Sequence, residues 1–168
     1  SEQGWLYDHL VGDQVVMPGA ALADLMRAAG EHRFQAAVEV SSLVLQAPLV
    51  LVDGGNRVQV VLREEADHTE VSVYSQPTDA SPGAEWTRYA SGEVRAMSVG
   101  AATHIDLAAI RARCVDRVEV SDVYEKLSPA GLPYGPSFQG LQALWHGASE
   151  AIAEVVLPEG VDGAQRYG

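Results

Sequence analysis

The stretch Trp5-Leu6-Tyr7-Asp8-His9-Leu10-Val11-Gly12-Asp13-Gln14-Val15-Val16-Met17-Pro18-Gly19 runs directly into Ala20-Ala21-Leu22-Ala23-Asp24-Leu25-Met26-Arg27-Ala28-Ala29. Pro18 fixes φ and suits a helix start, so a helix is predicted over about 19–30. Ala21, Leu22, Leu25, Met26 and Ala29 share one stripe of that helix, which would pack on a sheet. Leu25 and Met26 are therefore core residues before they are anything else.

Beyond the helix the apolar period drops to two. Val38–Leu45, Arg57–Glu64, Glu70–Ser75 and Trp86–Arg95 alternate, with β-branched and aromatic residues on one side. That pattern predicts antiparallel strands with one buried face. Asp53-Gly54-Gly55-Asn56, Ala66-Asp67-His68 and the stretch from Pro77 to Gly83 supply the turns. One helix wrapped by an antiparallel meander is an α+β hot-dog fold.

Small, polar and charged residues from about 96 to 117 read as a linker. Ser121 is placed to cap a short helix, Asp122–Leu127, broken by Pro129 and Gly131. Strands near Leu141–His146 and Glu150–Leu157 then open a second unit. The expected organisation is a first hot-dog over 1–98, a linker over 99–117, and the start of a second, incomplete unit over 118–168.

The 168 residues are 47% hydrophobic and 20% charged, enough for a globular domain with a sizeable core. A formal charge of −12 argues against nucleic acid or an anionic membrane as partner. No apolar run is long enough to span a membrane, and the N-terminus lacks a signal peptide's basic-then-apolar pattern, so the cytoplasm is the expected location. The single Cys114 excludes an internal disulfide framework. Arg111, Arg113 and Arg117 form the one noticeable basic cluster, either solvated linker charges or a docking patch for an acidic protein.

The opening stretch also carries chemistry. Imidazole can take a proton near neutral pH, and His9 stands nine residues ahead of Pro18. A helix N-terminus offers free N–H groups to a carbonyl that is becoming an enolate. Base and oxyanion donor together suit removal of a proton α to a thioester. Taken alone, His9 equally fits a surface histidine or a satisfied core one.

A second segment decides between those readings: Gly131-Leu132-Pro133-Tyr134-Gly135-Pro136-Ser137-Phe138-Gln139-Gly140-Leu141. Taken alone, its Tyr-Gly-Pro is a turn with a half-buried tyrosine. With the first segment, it resembles the dehydratase domain of modular type I polyketide synthases. That family carries His-x3-Gly-x4-Pro and, much later, Gly-x-x-Tyr-Gly-Pro-x-Phe, in this order. Gln46-Ala47-Pro48-Leu49-Val50-Leu51, Trp86-Thr87-Arg88-Tyr89-Ala90-Ser91-Gly92 and Ile105-Asp106-Leu107 are similar to the family too. The likeness covers nearly the whole chain.

The resemblance implies a double hot-dog that eliminates water from a 3-hydroxyacyl thioester and leaves an enoyl thioester. It implies His9 as the base, Pro18 and Gly19 beside the thioester carbonyl, Tyr134 and Gly135 on the tunnel, and Phe138 as an apolar wall. No cofactor of its own is implied, because the substrate rides on the phosphopantetheine arm of an acyl carrier protein. Neighbouring synthase domains, a homodimer within the full synthase, and a place in secondary metabolism such as antibiotic biosynthesis are implied as well.

Two positions depart from the family pattern. Asp13 stands where the motif has its glycine, directly after Gly12, and reads as a turn residue tolerant of a left-handed backbone. The family's catalytic aspartate belongs to a segment resembling His-Pro-x-Leu-Leu-Asp, and the sequence stops at Tyr167-Gly168 where that segment is expected. Asp162 lies in a turn-rich loop and is not its match. The expectation is a fragment without its acid, poorly active by itself.

The remaining polar residues suggest nothing further. His32, His68, His104 and His146 fall at a helix end, a hairpin turn, the linker and a strand end. No His, Cys and Asp grouping has metal-ligand spacing, so no metal is expected. Gly54-Gly55 lacks the following helix that a phosphate cradle requires. Two other readings stay open: a dehydratase-like double-bond isomerase using His9 alone, and a non-catalytic acyl-binding or scaffolding hot-dog. A hot-dog thioesterase would need a carboxylate to activate water, and no supporting motif provides one.

Overall fold

The computed structural model describes residues 4–97, 105–159 and 161. The chain begins with a 3-10 turn at Gly4–Asp8 and short strands β1 (Leu10–Val11) and β2 (Gln14–Val15). Helix α1 (Gly19–Phe34) follows, then strands β3 (Val38–Leu45), β4 (Asn56–Glu64), β5 (Thr69–Pro77) and β6 (Thr87–Ala96). Next come α2 (Leu107–Arg113), β7 (Asp116–Val118), α3 (Val120–Leu127), a 3-10 turn at Pro136–Phe138, β8 (Leu141–His146) and β9 (Ala151–Val155). The described residues divide into two compact units, 15–97, and 4–14 with 105–161.

The first of these has the hot-dog arrangement, without residues 4–14, which the expected domain over 1–98 included. Its sheet is antiparallel in the order β3-β6-β5-β4, and α1 lies against all four strands. Leu22 and Met26 from α1 meet Val38, Leu49, Val71, Val73, Ala90 and Val94 in a closed core, with Leu25 packed at its margin. Residues i, i+4 and i+8 of the helix (Leu22, Met26 and Gly30) are its fully buried row. The approach to α1 is fixed by edge pairing: Met17 N–H donates to Leu49 O at 2.8 Å and Leu51 N–H to Val15 O at 2.8 Å.

The helix runs to Phe34, four residues beyond the expected end. Gly30 does not stop it, because a glycine is needed there for contact rather than for a turn. A Cβ at Gly30 would overlap Val94 Cγ2 and press on Val38. The stop comes instead at Gln35, in the left-handed region at φ 52°, with its N–H donating to Glu31 O at 2.8 Å.

The other unit corrects the linker. Residues 98–104, His104 among them, lie outside the described residues, but 107–118 form α2 and β7. Asp106 caps α2, accepting from Ala109 N–H at 2.9 Å, a start signal that the polar composition concealed. Strand β7 pairs antiparallel with β8, setting Arg117 opposite Trp145, and β8 pairs with β9. The Arg111 guanidinium lies 3.9 Å from the Trp145 ring centre, and Arg113 pairs with Glu150. These two arginines are therefore structural contacts, while Cys114, directly after them, is fully buried.

Helix α3 also begins earlier than expected. Glu119 occupies its N-cap with no side-chain bond, so Ser121 lies inside the first turn and caps nothing. The helix packs on β8, where the Tyr124 hydroxyl accepts from Leu141 N–H at 3.0 Å. Residues 4–14 group with this unit and not with α1. His9 thus shares a compact unit with the Tyr134 segment.

Candidate functional site

His9 follows the 3-10 turn Gly4–Asp8, which is anchored by the buried Leu6, and the His9 N–H donates to Leu6 O at 3.1 Å. After it the chain reverses at Gly12, whose φ of 63° is the left-handed value a turn here demands. Gly12 takes the conformation that sequence reasoning assigned to Asp13. The motif's glycine is therefore displaced by one position.

The Gly12 N–H donates to Gly131 O at 2.7 Å, which ties the histidine strand to the second motif. Gly131 itself has φ 87°, turning the chain after α3. Further along, Gly135 opens the 3-10 turn Pro136–Phe138. The result is an aromatic cluster. The His9 and Tyr134 rings stack with centroids 5.2 Å apart and planes 22° apart. Phe138 meets His9 at 4.9 Å and 59°, and Trp5 closes on Phe138 at 6.0 Å. These geometries are the offset and tilted contacts that aromatic quadrupoles favour.

Asp8, which sequence reasoning passed over, joins the two motifs more firmly than the rings do. Its backbone carbonyl accepts from Gly135 N–H at 2.8 Å, and its Oδ2 accepts from Ser137 N–H at 2.8 Å. The Ser137 hydroxyl and N–H together hold the Asp8 carboxyl below the usual carboxylate range. Gly135 has an ordinary φ of −73°, so its glycine is required for space. A Cβ there would overlap the Asp8 side chain. A signal existed in the sequence: Pro136 lacks an N–H and the turn leaves early donors unpaired, so an external acceptor is required.

His9, Tyr134, Gly135 and Phe138 are thus brought together within one unit. Pro18 and Gly19 belong to the other unit, at the start of α1. Pro18 is buried and has no side-chain acceptor, so its carbonyl caps the helix, accepting from Ala21 N–H at 2.9 Å and Leu22 N–H at 3.2 Å. The N–H groups of a helix's first residues lack partners within the helix. Gly19 approaches Leu45 closely: a Cβ there would be 2.9 Å from Leu45 Cδ1. Asp162, Tyr167 and Gly168 lie outside the described residues.

Among the described residues, no cluster of His, Cys, Asp and Glu could hold a metal ion. No helix there is long and apolar enough to cross a membrane.

Two family models match the chain. One, described as polyketide synthase dehydratase domain, covers residues 1–76, and another, polyketide synthase dehydratase N-terminal domain, covers residues 102–167. The type I phenolphthiocerol synthesis polyketide synthase of Mycobacterium bovis is 43% identical over 94% of this chain and 7% of its own length. The dehydratase domain from the terminal module of the rifamycin polyketide synthase superposes with a TM-score of 0.86 at 36% identity, covering 98% of this chain and 61% of that one. The CurJ dehydratase, solved as an inactive histidine-to-phenylalanine variant in complex with a compound, superposes with a TM-score of 0.84 at 26% identity. Coverage there is 98% of this chain and 57% of the other. This chain spans less than two thirds of each.

Proposed function

The chain belongs to the polyketide synthase dehydratase family, and on that premise we propose that it carries the base of a 3-hydroxyacyl thioester dehydratase. The observation that carries this reading is the stack of His9 on Tyr134, which unites two motifs far apart in sequence. The inactive CurJ variant, altered at a histidine, supports a histidine-dependent reaction in this family.

In this reading the imidazole of His9 removes a proton from C2 of the acyl chain. The C2–H electron pair forms the C2=C3 double bond as the C3–O bond breaks. The hydroxyl departs with a proton from an acid, as water, and the enoyl thioester remains. Developing negative charge on the thioester carbonyl is met by the backbone N–H at Gly19, a residue with no side chain to hold the acyl group off. Pro18 fixes the backbone leading to that donor. Tyr134 hydrogen-bonds the departing hydroxyl or the acid, Gly135 keeps the tunnel wall thin, and Phe138 lines it with apolar surface.

In this reading the acid is an aspartate, which the inactive aspartate-to-asparagine variant of the CurK dehydratase supports for the family. The substrate arrives on the phosphopantetheine arm of an acyl carrier protein, and neighbouring synthase domains and a second copy complete the assembly. No metal or other cofactor enters the reaction.

The test is dehydration of a 3-hydroxyacyl-pantetheine surrogate by the dehydratase that contains this chain, with enoyl product read by mass. His9→Ala should lower the rate by about 10²-fold or more, the usual contribution of a positioned general base. Undiminished product from His9→Ala would overturn the assignment.

A further inference from the structure

We propose that Asp8 is a positioning residue of this site, a clamp that holds the Tyr134–Phe138 turn in register with His9. The inference rests on the dehydratase reading above, and it starts from where the backbone donors of the turn go. Gly135 N–H donates to Asp8 O, Pro136 has none, and Ser137 N–H donates to Asp8 Oδ2. Phe138 N–H returns to Gly135 O at 2.9 Å and Gln139 N–H to Pro136 O at 3.1 Å. Every donor between 135 and 139 is therefore satisfied, and the two that the turn cannot satisfy itself go to Asp8.

That arrangement makes Asp8 an N-cap supplied from a distant part of the chain. The residue it caps through is adjacent to His9, so neither the histidine nor the turn can shift without stretching a bond of about 2.8 Å. Complementarity runs both ways, since Gly135 has room for no side chain where the Asp8 carboxylate lies. The stack of His9 on Tyr134 and the tilted contact with Phe138 are consequences of this register.

A carboxylate beside a histidine also invites another reading, that Asp8 is itself the acid. Its environment opposes this. Oδ2 is committed to the Ser137 N–H, and the Ser137 hydrogen bonds lower its pKa, so it stays ionised at neutral pH and has no proton to give.

The test compares wild type, Asp8→Ala and Asp8→Asn in the dehydratase that contains this chain. An asparagine keeps an oxygen to accept from Ser137 N–H but carries no charge and no acidic proton. Misplacement of a catalytic group by an ångström is worth up to about a hundredfold, so Asp8→Ala should lose about tenfold or more in kcat. KM should stay within about threefold of wild type, and Asp8→Asn should recover most of the rate with an unshifted pH profile. An Asn variant as slow as the Ala variant would overturn the proposal, since the carboxylate's charge or proton would then be in use. Wild-type kcat in both would overturn it too.

Exchange of the Ser137 amide separates this proposal from the dehydratase reading. Asp8→Ala in the chain should speed that exchange about tenfold or more, and Asp8→Asn should restore it. Should wild type fail to dehydrate the thioester, the functional reading falls, and unchanged exchange in Asp8→Ala would overturn the clamp independently.

Discussion

His9 and Tyr134 stack with ring centroids 5.2 Å apart and planes 22° apart, although one precedes the whole four-stranded sheet in sequence and the other follows it. The contact exists because residues 4–14 fold with the C-terminal unit. A histidine held flat against a tyrosine has its ring plane fixed, which is what a base that must meet one C–H bond needs.

Gly135→Ala should destabilise the chain. The added methyl group would overlap the Asp8 side chain, and overpacking of this kind costs about 1–3 kcal/mol. Gly4→Ala is the control, because a Cβ there meets nothing. Urea unfolding of the two variants checks the contrast, and equal midpoints would contradict it.

Gly30→Ala reverses a familiar rule. In an exposed helix interior this change is stabilising by about 0.8–1.0 kcal/mol. In α1 the new methyl would overlap Val94 Cγ2, a branched side chain held in the core, so the midpoint should fall instead. Met26→Ala, at the centre of the same core, should cost about 2–5 kcal/mol.

The Asp8 clamp should respond to acid. Its pKa is depressed in the folded state, so its contribution is fully present above the ordinary aspartate value, about 3.9, and is lost as pH falls through the lowered one. Protection of the Ser137 amide, corrected for intrinsic exchange, should be flat from neutral pH down to about 5 and decline below about 4 toward the level of Asp8→Asn, whose uncharged oxygen still accepts, and no further. Constant protection to lower pH would show that protonation does not weaken the bond.

Strand β9 is an edge of the β7-β8-β9 sheet, and Val155 at its end, with Val156 and Leu157 just beyond it, are 70%, 57% and 56% exposed. Leu141, Leu144 and Ile152 are half-buried by comparison. An apolar edge strand is a template for association, and a lysine blunts it. Val155→Lys should reduce concentration-dependent sedimentation of the chain without lowering its melting temperature.

The hot-dog unit was legible because its signals are periodic. A row from Leu22 to Met26 and the alternation in β6, where Ala90, Gly92 and Val94 are buried, state their buried faces directly, whereas β5 proves buried on both faces from Val71 to Val73 and β4 on neither. What escaped was set by long-range partners. Arg111 and Cys114 resemble linker composition until Trp145 and Glu150 are opposite them. Gly30 looks like a helix end until the sheet lies against it. In the site, His9, Tyr134 and Phe138 could be named from motif spacing, because their chemistry is carried by residue type. Asp8 could not, because its role depends on two backbone N–H groups of a turn remote in the chain.

Whether His9 takes the C2 proton is read from a 3-hydroxyacyl-pantetheine surrogate deuterated at C2. In the dehydratase that contains this chain, wild type should release one C2 deuterium to solvent for each enoyl product, and His9→Ala should slow release and product together by about 10²-fold or more. Deuterium release and product formation at the wild-type rate from His9→Ala would contradict the account.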